Sequence, residues 1–280
     1  MLFRSQKDRG VHWSDDIAAE YKTIQADEYN PKAEWADEAY RPMIVDCQRD
    51  LEKFFVGVFA VSLKGEAREL FRGQAESFDR LGEIQKEWNV KDQQVFLDCG
   101  YEMTRVLREC VSRGHVGTVR VGKELKKVWL CWTGLKGSGS DVFVHTNPRT
   151  KLRDFRIYSE RKFYNVDVGT SRHGARAPWY EWSNLHCKDL LRARRDQDEG
   201  IPKLMVLPDT MPTTDQWSYF AQMRSEKRKE EFRAGRKKAI WEVVKAGRPN
   251  HWWDVGAMLM AFMAIVGIVG GDVTDDPEAQ

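Results

Sequence analysis

Three aspartates, Asp46, Asp98 and Asp254, carry the chemistry that this chain could do. Asp46 lies in Pro42-Met43-Ile44-Val45-Asp46-Cys47-Gln48, and Asp98 in Gln94-Val95-Phe96-Leu97-Asp98-Cys99-Gly100-Tyr101. Each closes a short apolar run that reads as a buried strand. Asp254 follows Pro249-Asn250-His251-Trp252-Trp253 and opens a long apolar segment. A carboxylate at the end of a buried strand is costly unless something pairs with it. A hard divalent cation is a fitting partner, because magnesium and its like choose carboxylate oxygens. Carboxylates gathered around two such ions can support phosphodiester hydrolysis, activating a water and stabilising the leaving oxygen. Any one of the three alone reads as a turn or cap residue, and Asp254 suits the positive end of a helix. The chemistry therefore rests on the set.

The elements that must position these acids follow from the pattern. Strands are predicted from Met43 and over Lys53 to Leu63, where Phe54-Phe55-Val56-Gly57-Val58-Phe59-Ala60-Val61 is β-branched and aromatic. A third strand follows over Glu66 to Arg72, after the Lys64-Gly65 turn. Helical spacing covers Glu76 to Trp88, with Phe78, Leu81, Ile84, Gln85 and Trp88 on one face, and Met103 to Val111. Gln93 to Leu97 reads as a fourth strand and Lys127 to Trp132 as a fifth. The order β-β-β-α-β-α-β describes an α/β fold with a ribonuclease-H-like mixed sheet, three antiparallel strands plus parallel ones, flanked by helices. In that order the first strand lies beside the fourth, so Asp46 and Asp98 meet although 98 − 46 = 52 residues separate them.

Residues 1–40 read as a helical lead-in or linker, and 41–271 as the main domain. Within the latter, 134–180 reads as an irregular basic and aromatic insertion, with a hairpin from Asp141 to His145 and Phe155 to Tyr158. Beyond it, Leu185 to Arg195 is predicted helical, Asp215 to Arg233 a charged helix, Lys238 to Val244 a short element, and a last helix starts near His251. The tail 272–280 is acidic and expected to be disordered.

Lys+Arg number 45 and Asp+Glu 43, a net charge of +2, so overall charge does not announce a nucleic-acid partner. Basic residues are instead concentrated locally, in Arg153 to Arg176, Lys188 to Arg195 and Arg224 to Lys238. Cys47, Cys99, Cys110, Cys131 and Cys187 are odd in number and form no CxxC pair, which argues against a disulfide framework or a zinc site and for reduced buried thiols. The N-terminus has no apolar signal region. The apolar run Val255 to Gly271 reads as a buried C-terminal helix rather than a membrane span.

From Pro42 to about Gly270 the chain resembles the C-terminal nuclease domain of phage terminase large subunits, in the lambda-like branch. Val45-Asp46-Cys47-Gln48 is similar to that family's first-strand element, and Phe96-Leu97-Asp98-Cys99-Gly100-Tyr101 to its fourth-strand aspartate with a following aromatic. Gly134-Leu135-Lys136-Gly137 resembles a glycine-lysine-glycine turn after the fifth strand. Asn184 with Lys188-Asp189-Leu190 resembles the following helix, and Tyr219, Gln222, Ser225 and Glu226 a Tyr-x-x-Gln-x-x-Ser-Glu run. Trp241, then Pro249-Asn250-His251-Trp252-Trp253-Asp254, resembles an Asn-His-x-x-Asp element. No single piece is diagnostic; their order over some 230 residues is more specific.

The resemblance implies a metal-dependent endonuclease that cuts double-stranded viral DNA concatemers during genome packaging. Asp46, Asp98 and Asp254 would be the catalytic metal ligands, for two Mg²⁺ or Mn²⁺ ions. Partners would be DNA, a terminase ATPase domain, the small terminase subunit and the portal protein, in the host cytoplasm. One departure is plain: no G-x-x-x-x-G-K-[ST] phosphate loop occurs, so the chain reads as an isolated nuclease domain without its motor. His251 reads as a residue that orients Asp254 or packs at the helix start. Asp50 and Glu102 read as solvated neighbours of the acids.

Lys136, Arg153, Arg156, Arg161, Lys162, Arg172, Arg176 and Lys188 form the expected DNA-facing set, interleaved with Phe155, Tyr158, Phe163, Tyr164, Trp179 and Tyr180. Lysine and arginine on phosphates give sequence-independent affinity that falls with salt; a solvated charged surface is the competing reading. Arg224 to Lys238, with Glu226, Glu230 and Glu231, reads as a salt-bridged exposed helix. Two further readings stay open: another ribonuclease-H-like nuclease of resolvase or RNase H type, and a catalytically idle DNA-binding packaging module.

Overall fold

A computed structural model describes residues 23–49, 51–165, 175–212, 214–233 and 236–270. Two compact units divide them: Asp209–Trp253 is one, and the described part of Lys22–Pro208 with the chain from Asp254 onward is the other.

The larger unit is built on a mixed sheet. In chain order it contains β1 (Ile24–Gln25), β2 (Glu38–Tyr40), β3 (Met43–Cys47), β4 (Phe54–Ser62), β5 (Ala67–Ala75), helix α1 (Phe78–Glu87), β6 (Val95–Asp98) and helix α2 (Met103–Ser112). Next come a separate hairpin, β7 (His115–Val121) with β8 (Glu124–Leu130), then β9 (Thr133–Ser138) and a second hairpin, β10 (Phe143–Thr146) with β11 (Arg153–Arg156). It continues with β12 (Lys162–Asn165), β13 (Arg176–Ser183), helix α3 (Asn184–Arg195) and β14 (Leu204–Val206). The sheet order is β1-β14-β5-β4-β3-β6-β9-β13-β12, with β2 paired to β4. β4 runs antiparallel to both of its neighbours, β5 and β3, while β3, β6, β9 and β13 run parallel. This is the ribonuclease-H-like order that the sequence predicts.

The smaller unit holds the short helix α4 (Tyr219–Met223) and a hairpin of β15 (Glu226–Arg233) and β16 (Arg236–Val243). Helix α5 (His251–Ile265) begins there and continues past the boundary at Asp254.

Alternation along the strands sorts the two faces of the sheet. Met43, Val45 and Cys47 of β3, and Val95 and Leu97 of β6, join one core with Phe78, Leu81 and Ile84 of α1 and Val106, Leu107 and Cys110 of α2. Ile44, Asp46, Phe96 and Asp98 therefore point to the opposite face. That face is covered by α5, where Phe96 and Phe262 meet edge to face at 5.2 Å between ring centroids. Helix α5 is apolar all round and buried over Val255–Ala264, as a helix enclosed on every side must be. Among the described residues no helix is long and apolar enough to cross a membrane. Gly256 lets α5 approach α3, since a Cβ there would lie 2.7 Å from Leu191 Cδ2.

Three sequence expectations are corrected. The fifth strand of the sheet is Thr133–Ser138, not Lys127 to Trp132, most of which lies in the β7–β8 hairpin. Gly134-Leu135-Lys136-Gly137 is accordingly strand rather than turn, and the stretch 134–180 opens with a core strand. The physical reason is packing: a Cβ on Gly134 would meet Leu107 Cδ2 at 2.6 Å, so glycine is what lets α2 lie on β9. Asp215 to Arg233 is not one helix. Five helical residues, Tyr219–Met223, are followed by strand β15. Its alternating charges pair within the hairpin instead, with Lys229 Nζ 2.8 Å from both Glu231 and Glu242. The expected hairpin after Asp141 is found as β10–β11, with Val144 opposite Phe155. Most of the expected lead-in 1–40, Asp50, and the tail 272–280 lie outside the described residues; the described part from Thr23 adds β1 and β2 to the sheet.

Candidate functional site

Asp46 and Asp98 stand side by side. The parallel register pairs Met43 with Val95, Ile44 with Phe96 and Val45 with Leu97, so the next step places Asp46 beside Asp98. Adjacent strands lie about 4.8 Å apart, which brings two carboxylates on one face into mutual reach. Asp46 is buried and accepts a hydrogen bond on Oδ2 from Gln48 Nε2 at 2.8 Å. Asp98 is partly buried, and its Oδ1 accepts from the Gly100 backbone N–H at 3.0 Å.

The electrostatics show the crowding. Burial, then the charge of Asp46, and further the charge of Asp254, push the Asp98 carboxyl up to about 7. The hydrogen bond from Gly100 opposes this but does not cancel it. The same charges reach the neighbouring thiol: Cys47 is raised well above its ordinary value by burial, then by Asp98 and Asp46. All five cysteines are free and buried, as expected from the sequence.

Asp254, on the first turn of α5, reaches the same field, but Lys188 of α3 lies beside it. Lys188 Nζ sits 3.0 Å from Asp254 Oδ1, and the lysine side chain is only 8% exposed. An ammonium thus supplies positive charge next to one of the three acids. Among the described residues, no group of three or more His, Cys, Asp or Glu side chains is gathered so as to hold a metal ion. The oxygen donors of Asp46 and Asp98 suit a hard cation, and their repulsion is what such an ion relieves. Asp254 already shares one oxygen, Oδ1, with the Lys188 ammonium.

The start of α5 is held by polar residues whose sequence run the family resemblance singled out. Gln222 Oε1 accepts from the Trp252 backbone N–H at 3.1 Å, satisfying a donor that the helix leaves open. Gln222 Nε2 donates to the Trp217 carbonyl at 3.2 Å, and Asn250 Nδ2 to Glu226 Oε1 at 2.8 Å. His251 stacks on Trp217 with ring centroids 6.3 Å apart.

The expected DNA-facing residues divide. Arg161, just before the edge strand β12, and Arg176, at the start of its neighbour β13, lie over the exposed ring of Phe163, at 5.0 and 4.7 Å. Arg153 is exposed on β11, while Arg156 donates to Tyr158 Oη at 3.0 Å. Lys162 pairs with Glu181 at 2.6 Å and lies over Trp179. Lys136 is opposite Glu181 in register, so alternation turns it to the face away from Asp98. Lys188 departs from the expectation: it is buried with Asp254 rather than presented to a ligand. Arg172 lies outside the described residues.

Sequence reasoning missed the Lys188–Asp254 pair. The one available signal was a lysine among Cys187, Leu191 and the other inward positions of α3. Comparison of the chain with family models, curated proteins and solved structures finds no match.

Proposed function

We propose that the chain is a metal-dependent endonuclease of the terminase large subunit type, cutting double-stranded viral DNA concatemers during packaging. One observation carries this reading: Asp46 and Asp98 are neighbours at the ends of parallel strands, with the Asp98 carboxyl pushed up to about 7 by burial and by the other acids. Perturbed carboxyls of this kind concentrate at functional sites. Asp46 and Asp98 would hold Mg²⁺ or Mn²⁺, with Asp254 as a further ligand. The bound ion would supply Lewis acidity and lower the pKa of water. Gln48 holds the Asp46 carboxylate from one side, and the Gly100 N–H fixes that of Asp98. Because a proton and a cation compete for Asp98, cation affinity rises with pH. Arg153, Arg161 and Arg176 are exposed and can meet phosphates without reading bases.

A catalytically idle DNA-binding module is the second reading. The Lys188–Asp254 pair favours it, because an ammonium already neutralises the third acid. A plasmid-nicking assay separates the two. The nuclease reading expects nicking that requires Mn²⁺ or Mg²⁺ and disappears in Asp46→Asn and Asp98→Asn. Full activity in either variant, or DNA binding with no cleavage under any divalent ion, refutes it.

A further inference from the structure

A cavity of about 550 Å³ lies at the opposite end of the sheet from the acids, between the chain before β3, strand β5 and the end of α1. We propose that it is a binding site for a guanine base. Its walls carry three aromatic rings, Tyr29, Trp35 and Trp88. Arg68 is held among them, with its guanidinium 4.2 Å from the Trp35 ring centroid and 5.6 Å from that of Tyr29.

The Arg68 side chain makes no hydrogen bond among the described residues; its Nε is closed off from solvent, as is Trp88 Nε1, which leaves the terminal nitrogens of the Arg68 fork to meet a ligand. Buried donors are almost always satisfied, and an unpaired one costs more than a made bond returns. A stacked guanidinium without an acceptor is a fork set for two adjacent acceptor atoms. The second arginine of the cavity is already engaged: Arg41 binds Glu38 through Nε at 2.7 Å and the Trp88 carbonyl at 3.2 Å.

The ligand class follows from charge and shape. The lining carries three bases, Lys32, Arg41 and Arg68, and three acids, Glu34, Glu38 and Glu87, so it balances at zero and favours neither a polyanion nor a polycation. Aromatic walls favour a planar ring. Guanine presents O6 and N7 as neighbouring acceptors for Arg68, and N–H donors on another edge for Glu34 or Glu87. Adenine places a donor beside its N7, where the guanidinium also donates. The volume lies within the ordinary range for a small-molecule site of roughly 300–1,000 Å³.

The site stands independently of the nuclease reading. It is tested by calorimetric titration of the full chain with GMP, AMP, inorganic phosphate, and the single strands TTGTT and TTATT. Guanine-bearing probes should bind at least about tenfold tighter than their adenine counterparts, and phosphate alone should not bind. Whichever of GMP or TTGTT binds more tightly assigns the source of the base, free nucleotide or single strand. Arg68→Met should weaken guanine binding by about tenfold or more, and Trp88→Leu should weaken it by removing one aromatic wall. Melting curves confirm that each variant is folded. Equal affinity for guanine and adenine probes, no binding of either guanine probe, or unchanged affinity in both folded variants overturns the assignment.

Discussion

Replacing Asp98 with asparagine should stabilise the protein at neutral and alkaline pH. In the unfolded chain an aspartate titrates near 3.9, whereas burial and the charges of Asp46 and Asp254 raise Asp98 to about 7 in the fold. Below about pH 4 the group is protonated in both states and contributes no pH dependence. Between about 4 and 7 the native state binds a proton that the unfolded chain does not, so stability falls as pH rises. Above about 7 both states are charged, and the full penalty applies. Some 3 pH units at about 1.4 kcal/mol each give a ceiling near 4 kcal/mol. Asp98 keeps some solvent contact, and screening brings the expected effect to about 2 kcal/mol. Asparagine removes the charge while its Oδ1 can still accept from Gly100, which makes it the cleaner substitution than alanine. Urea unfolding followed by tryptophan fluorescence at pH 4, 6 and 8 measures the difference. The variant should match the wild type at pH 4 and exceed it at pH 8. Equal stability at pH 8, or a less stable variant there, refutes the claim that Asp98 is crowded by like charge. Saturating Mn²⁺ should reverse the order at pH 8, since a cation at 100 times its dissociation constant adds about 2.7 kcal/mol to the state that binds it.

Three other outcomes are expected. Lys188→Met should lower stability by about 1–3 kcal/mol in divalent-free buffer, because it leaves Asp254 without its buried cation, and Mn²⁺ should restore more stability to this variant than to wild type, as read by melting temperature. Gly256→Val should cost about 1–3 kcal/mol by driving a side chain into Leu191, and adding Leu191→Ala should recover part of that loss in a double-mutant cycle. Arg161→Ala with Arg176→Ala should weaken duplex DNA binding and reduce the log–log salt slope by about 2 if both arginines contact phosphate; an unchanged slope would remove the β12 edge from the interface.

The core of the sheet was legible because β3, β4 and β6 are apolar on both faces and bounded by polar breaks. The same parity that buries Val45 and Leu97 in one core turns Asp46 and Asp98 to the other face, so two of the three acids could be paired from the sequence alone. β9 was misread because a strand built from Thr-Gly-Leu-Lys-Gly-Ser has little β-propensity of its own. Its place is set by α2 and β13 packing against Gly134, which is tertiary information. The charged run after Tyr219 failed for a related reason. Alternating lysine and glutamate satisfy a helix at i to i+4 and a hairpin across the strands, and only the pairing of Glu226 with Val243 through to Arg233 with Arg236 decides between them.

Asp254 is where the competing readings meet. The charge that raises Asp98 comes partly from Asp254, yet Lys188 stands 3.0 Å from that same carboxylate. The ammonium and a divalent cation offer Asp254 the same kind of relief, so they compete for it. A protein that binds DNA without cutting it would keep the lysine in place and have no further use for the paired acids on β3 and β6. In a nuclease the lysine would also hold Asp254 in the cation-free state and yield it when an ion arrives. The two cases differ in sign. In the first, Lys188→Met only weakens the protein; in the second, it also tightens Mn²⁺ binding while the Asp46 and Asp98 pair remains intact.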